Sequence, residues 1–483
     1  MDKKDCKKIM QYLGVIIETQ ENNTYQELLS DLLDIALEND YTREKNTGIV
    51  YKKVREYAYT RYLEPMDFLN KVFIHEPLFI SNVNNMDNMI KFMKMYDNIS
   101  FPFLNVNKKC IGFSNGVFNT ETCQFTDGIS DQENGNCVMK YIDIYFDQGN
   151  FETPLMDSVL NYQFNKHILE DIYDSEEDAC ETSPEQDVSE FIYSFLGRMF
   201  GIRDNFQCML YLLGESGTGK SVILEVLKAC FNNIGSIGDT FEEKFGLGYL
   251  YDKDIIVADD LPKNIGKVFP QQMFQTCVSC SNVSVSIKNG GALEVVWSVP
   301  MIFASNYQIA YSDMGQISRR VLVANFEKTV NNPDTFLSKK IIDTELPAFI
   351  NKCCVYYKKL LEKAHSKTIW QLCPRYFHIQ RRELKMERNP FFKFLFENTR
   401  VVEGHFETME KIKNQFNDWS SGTKVHKLDS GTFNQVNKQY IVKNSKICKS
   451  CNKLSMKGCC DEYKHSNRTA RLIVLNIELN NDY

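Results

Sequence analysis

No uninterrupted apolar run in this chain approaches the roughly 18 residues that a membrane-spanning helix requires. The early apolar stretch Tyr12-Leu-Gly-Val-Ile-Ile17 is too short for the core of a secretory signal. We therefore expect no membrane partner, and action in the cytosol or a cytosol-like compartment. Net positive charge is missing as well. The 56 Lys and Arg residues against 63 Asp and Glu give a formal charge of -7, which excludes a protein coated in positive charge but allows a basic lining where a polyanion passes. Internal repeats and low-complexity tracts are absent, and 43% apolar content speaks for a globular chain. Thiols, by contrast, are plentiful. Sixteen cysteines without a secretory signal are expected to stay reduced, so clustered ones read as metal ligands.

At 483 residues the chain has room for two to four domains. Asp174-Ser-Glu-Glu-Asp178, Glu181, Glu185, Asp187 and Glu190 surround Ser183-Pro184 with no balancing cation, as in an exposed joint. A boundary is expected there, with a mixed, mainly helical region over 1–185. A second change, around 380–390, follows a helical stretch from Leu346 to Lys363 and divides a nucleotide-binding core (186–380) from a C-terminal domain (385–483). Between Lys438 and Arg471 nine basic residues face only Asp461 and Glu462. That excess is a candidate nucleic-acid surface or simply a solvated basic face.

The core announces itself through Gly214, Glu215, Ser216, Gly217, Thr218, Gly219, Lys220 and Ser221. An apolar run, Cys208 to Leu213, precedes this loop as a buried strand would. Val222 to Ala229 follow with the spacing of a helix packed on a sheet. A phosphate-binding loop needs this context: glycines let successive amides face the phosphates, lysine reaches the β and γ oxygens, and the Ser221 hydroxyl ligates magnesium at the positive end of a helix. ATP and Mg2+ are the expected ligands.

Asp254-Ile-Ile-Val-Ala-Asp259-Asp260 reads as a buried strand delivering two carboxylates to the same sheet edge. One acid can hold magnesium, Asp259 being a candidate, and the other can polarise a water. Val299 to Ala304 is a further strand, after which Asn306 could orient that water. Arg319 and Arg320 precede the strand Val321 to Phe326, where a guanidinium can meet charge developing in phosphoryl transfer. Val283 to Val296 alternates around Asn289-Gly290, the signature of a β-hairpin, with Lys288 at its tip.

The order of loop, acid pair, lysine-bearing hairpin, Asn306 and arginine pair within residues 214–320 resembles the superfamily 3 helicases, ring motors of the AAA+ class. The nearer match is to poxvirus-type primase-helicases of large cytoplasmic DNA viruses and their satellite-phage relatives. Ile111 to Thr122, Phe245 to Asp254 and Glu345 to Ile350 carry it, and it covers residues 100–380. The resemblance implies a parallel-sheet AAA+ core and a hexameric homo-oligomer threading one DNA strand. It also implies Lys288 in the pore, Arg319 or Arg320 acting on the neighbour's ATP, and a viral replication site in host cytoplasm. The hundred or so residues before the matched region are too few for the family's upstream primase domain, and they show no paired-aspartate polymerase motif. Priming is expected of a separate primase or polymerase chain.

Phe391 to Phe396, then Ile412, Phe416 and Trp419, suggest two short helices followed by extended segments, as in a winged helix. Cys448 and Cys451, with two of Cys459, Cys460 and His465, have the donor types and knuckle spacing of a structural zinc site. A replicative DNA helicase is thus the leading expectation. The alternatives are a DNA-remodelling initiator or packaging ATPase without strand separation, and a small-molecule P-loop kinase that leaves hairpin, arginines and cysteines without a role.

Overall fold

A computed structural model describes residues 25–75, 83–104, 107–127, 137–164, 187–238, 241–287, 291–311, 316–420, 433, 436, 439–448 and 468–479. Two compact units account for them: one of residues up to 154 with 229–232 and 339–358, the other of the remainder.

In the first unit, α1 (Tyr25–Glu38) leads into an antiparallel sheet of β1 (Tyr41–Arg43), β2 (Val50–Arg55) and β3 (Ala58–Leu63), followed by α2 (Pro65–Val72) and α3 (Val83–Met95). Leu28, Leu32 and Ala36 recur at helical spacing and share a core with Phe68, Met89 and Met93. Arg43 is fully buried there. Its guanidinium donates to the carbonyls of Phe101 (2.8 Å), Phe92 (2.5 Å) and Tyr96, with the rings of Phe92, Phe101 and Phe103 around it. Burial pushes its pKa down to about 10, partly opposed by Asp97, so the core still holds a cation at neutral pH. A four-stranded sheet completes the unit: β4 (Cys110–Phe113), β5 (Gly116–Asn119), β6 (Gln124–Asp127) and β7 (Tyr141–Ile142), ordered β6-β5-β4-β7. At the β4–β5 turn the Asn115 amide brackets the main chain of Phe146, donating and accepting at 2.9 Å.

The second unit begins at Leu155, within α4 (Pro154–Phe164), and continues with α5 (Val188–Gly197), the latter capped by Asp187 accepting from the Ser189 amide at 2.7 Å. Then come β8 (Met209–Gly214), α6 (Lys220–Ala229), β9 (Ile234–Ser236), α7 (Gly246–Leu250) and β10 (Ile255–Ala258). After α8 (Ile265–Val268) and α9 (Gln271–Val278), the chain forms β11 (Asn282–Ser286), β12 (Ala292–Val296), β13 (Met301–Ser305) and β14 (Val321–Phe326). The central sheet is parallel, in the order β14-β8-β13-β10-β9. Every residue of β10 and β13 is buried, and all of β8 but Gly214. That is why these strands read as continuous apolar runs rather than alternating ones.

β11 and β12 form the expected hairpin, from Asn282 opposite Val296 to Ser286 opposite Ala292. Most of its residues are open to solvent, Leu293 and Val296 among them. The turn-side end of β11 packs tightly on α7, where a Cβ on Gly248 would stand 2.2 Å from the Ser286 carbonyl oxygen.

Next along the chain is α10 (Leu337–Ala364), whose residues 339–358 belong to the first unit; it starts nine residues earlier than the expected Leu346 and carries Pro347 inside it. Proline lacks an amide and crowds the carbonyl four residues back, so the sequence points to a helix start where the structure has an interior proline.

The C-terminal elements are α11 (Arg375–Arg388), α12 (Pro390–Asn398), β15 (Thr399–Thr408), α13 (Met409–Trp419), β16 (Ile441–Cys448) and β17 (Arg468–Leu479). The three strands are antiparallel, with β17 in the middle. Phe391, Phe394, Leu395, Ile412, Phe416 and Val474 fill the space between helices and sheet. Each fully buried phenylalanine there contributes about 1.5–3 kcal/mol. The sequence reading has two short helices in succession, with extended segments only after them. The structure inserts β15 between them, because Thr399-Arg-Val-Val has β-branched residues at three of its four positions.

Candidate functional site

Lys220 opens α6 directly after the loop that follows β8. Gly214 ends β8 at φ 147°, opposite Phe326 of β14, and a Cβ there would stand 2.3 Å from the Phe326 carbonyl oxygen. Gly217 and Gly219 also take positive φ, so the loop's path is one that side chains resist. The Lys220 ammonium is folded into the loop, donating to the carbonyls of Gly214 (2.6 Å) and Glu215 (2.7 Å) and lying 3.3 Å from the Asn306 amide oxygen. Burial lowers its pKa, and the charge of Asp260 acts in the opposite direction. Ser221, next on the helix, is exposed, as are Glu215, Ser216 and Gly217. Thr218 is buried, its hydroxyl donating to the Glu215 carbonyl at 2.8 Å.

Sheet order brings the other groups to this edge. β13 lies between β8 and β10, so Asn306, one residue past β13, stands between the loop and the acid pair that follows β10. Asp259 and Asp260 are both exposed but differently engaged. Asp259 accepts from Lys228 at 2.6 Å, two turns along α6 from Lys220. Asp260 is the acid whose charge reaches Lys220. Sequence reasoning missed Lys228. The available signal was its position eight residues after Lys220, on the same side of an α-helix.

Arg319 and Arg320 sit just before β14, at the opposite end of the strands from the loop. They diverge. Arg320 is buried, donating to the Ser279 hydroxyl (3.1 Å) and the Gln316 carbonyl (2.8 Å); burial, then the charge of Arg319, lowers its pKa. Arg319 is exposed, and its carbonyl accepts from the Trp370 indole at 3.0 Å. It lines a cavity of about 620 Å³ together with Arg203, Phe206, Lys367 and Trp370.

A strap that the sequence does not announce closes over the loop. On α4, Gln163 donates to the carbonyls of Thr218 (2.9 Å) and Lys328 (2.6 Å) and accepts from the Lys328 amide (3.0 Å). The Val330 amide donates to the Gly217 carbonyl at 3.0 Å. Gln163 lies 55 residues before Thr218, and nothing in local spacing links them.

Lys288, Cys451, Cys459, Cys460 and His465 lie outside the described residues, as does most of the basic stretch. Cys448 ends β16, where its Cα partner is Arg468 of β17. Among the described residues no cluster of three or more metal-ligating side chains occurs, and no helix is long and apolar enough to cross a membrane.

A family model described as "Family of unknown function (DUF5906)" matches residues 212–320, from the end of β8 to the arginine pair. No curated protein matches the chain. Among solved structures, the apo NrS-1 C-terminal region (305-718) is similar at 14% identity and a TM-score of 0.41, over 94% of this chain and 100% of that one. An A form of that region gives 12% identity and a TM-score of 0.42, over 92% and 99%.

Proposed function

We propose that the chain is an ATP-driven motor on single-stranded DNA, a replicative helicase that works as a homo-oligomer, with a hexamer as the expected ring. The observation that carries this reading is the meeting of Lys220 and Asn306 at 3.3 Å, with Asp260 close enough for its charge to act on the same lysine. Loop, amide and acid converge at the carboxyl end of a parallel sheet, where open α/β folds take their ligands.

The residues suit a magnesium-bound triphosphate. Lys220 already donates to two carbonyl oxygens that stand in for phosphate oxygens, and the loop path is open only to glycine at Gly214. Ser221 and Asp260 would hold the metal, which neutralises charge on the β and γ oxygens. Asn306 would orient the attacking water. Lys220 would stabilise charge on the departing phosphates.

Arg319 cannot serve its own chain's γ-phosphate. Val321 pairs with Met209 and Phe326 with Gly214, so five residues at ~3.3 Å each, about 16 Å, separate Arg319's end of the sheet from the loop. The exposed Arg319, beside an open cavity, suits a neighbouring copy's nucleotide, while the inward Arg320 is engaged by Ser279 and Gln316. The solvent-exposed hairpin, with Lys288 in its connection, is the proposed contact with DNA.

Zinc belongs to the same proposal. β16 and β17 are paired up to Cys448 and Arg468, so the chain leaves and re-enters the sheet at one point. All the remaining ligand candidates, Cys451, Cys459, Cys460 and His465, lie in that single connection. The expected ligand set is Cys448, Cys451 and two of the other three.

A forked duplex tests the motor. With ATP and magnesium the full chain should displace the labelled strand, and Lys220→Ala should not. Hydrolysis without displacement from a tail of either polarity would favour a remodelling or packaging ATPase instead.

A further inference from the structure

The order of strands decides on which side of the loop a nucleoside would lie. β13 and β10, followed by Asn306 and the acid pair, are on one side of β8, and β14 is on the other. The γ end of a triphosphate belongs beside Lys220, Asn306 and Asp260. The loop amides hold the α and β phosphates, so the nucleoside leaves toward β14. Covering that side are α4 and residues 328–330.

On α4, Val159 and Gln163 are one turn apart and both face the loop. A Cβ on Gly219 would stand 3.5 Å from Val159 Cγ1, and Gln163 donates to the Thr218 carbonyl at 2.9 Å. Tyr162 adjoins Gln163 on the helix and lies three residues from Val159, on the same side. Its hydroxyl donates to the Thr329 carbonyl at 2.9 Å, and the Lys328 ammonium donates to the Tyr162 carbonyl at 2.7 Å while lying 5.7 Å from the ring centre. Thr329 is itself against the loop, its methyl 3.7 Å from where a Gly217 Cβ would be. Farther along, Phe164 meets Phe326 and Tyr376 edge to face, fixing the end of the helix. The Tyr162 ring is therefore held in position, yet the residue remains 45% exposed. A tyrosine with an anchored hydroxyl gains nothing from water on its ring face, and a flat apolar partner suits that face.

We propose that Tyr162 is the stacking platform for the base of the bound nucleoside triphosphate. The assignment rests on reading the loop as a nucleotide site, and adds to it the side of the loop and the group that grips the base. Stacking on an aromatic ring tolerates any base. The site therefore selects nucleoside triphosphates over inorganic tripolyphosphate, and discriminates little between ATP and GTP.

Titration calorimetry on the full chain with magnesium tests this, using ATP, GTP and tripolyphosphate as probes. Tyr162→Ala should weaken ATP and GTP by about tenfold each, the size expected of one lost stacking contact, and leave tripolyphosphate affinity unchanged. Tyr162→Phe keeps the ring and should bind ATP within about twofold of the parent. Unchanged tripolyphosphate binding also certifies that the variant is folded around its loop. Equal losses for all three probes would overturn the proposal, since the helix would then merely prop the loop. No loss for ATP would overturn it too. A parent chain that binds neither ATP nor tripolyphosphate would remove the nucleotide reading itself, an outcome distinct from the other two.

Discussion

Asp259 and Asp260 are neighbours with identical side chains, and the sequence reading makes Asp259 the magnesium candidate where the proposed site takes Asp260. Their surroundings divide their work. Lys228 holds Asp259 at 2.6 Å, while the charge of Asp260 acts on Lys220. Neutralising Asp260 as Asp260→Asn should therefore lower kcat for ATP hydrolysis by about 100-fold or more, the scale on which a metal ion stabilises charge on the phosphoryl oxygens. Asp259→Asn should cost about tenfold at most. Steady-state hydrolysis at saturating ATP compares the two, and equal losses would return both acids to the same role. The arginine pair teaches the same lesson. Arg319 and Arg320 are equivalent as letters, yet one is solvated and the other lies against Ser279 and Gln316.

At the scale of elements, legibility follows burial. β14 falls at its expected bounds, and β8, β10 and β13 within two residues of theirs, because strands covered on both faces need uninterrupted apolar runs. The hairpin is legible through the alternation of its two strands on either side of an Asn-Gly pair in the sequence. Two features escape: the start of α10, hidden by Pro347, and β15, a ten-residue strand between two helices with only Glu407 buried. The β16–β17 connection carries the element-scale prediction. Metal analysis of purified chain should find about one zinc per molecule, and Cys451→Ser should lose it. Chelation should lower the melting temperature of the parent, since a structural metal contributes folding energy directly. A metal-free chain with an unchanged melting curve in chelator would leave the cysteines as free thiols.

For the whole molecule, the decisive geometry is the separation between loop and arginine along a single strand pair, about 16 Å at ordinary strand rise. A site divided between two copies should show complementation. Arg319→Ala chains and Asp260→Asn chains, each nearly inactive alone, should regain part of the parent's hydrolysis when mixed, because some interfaces combine an intact arginine with an intact acid. Titrating one variant against the other at fixed total protein checks this. No recovery at any ratio, or a monomer by light scattering at full activity, would sink the shared site.

What the sequence determined by itself is the local chemistry: a strand, a glycine loop and a helix in immediate succession, an acid pair after an apolar run, two alternating strands that pair as a hairpin. Each is written in contiguous residues, where backbone preference and side-chain periodicity act over a few positions. Only the tertiary structure decided what lies beside what. Placing β13 between β8 and β10 sets Asn306 next to Lys220; the chain leaving β14 on the other flank ties Tyr162 and Gln163 to the loop, and the parallel pairing of β14 with β8 leaves Arg319 at the far end. Strand order arises from packing both faces of one sheet at once, a condition shared by residues too distant in the chain to signal it locally.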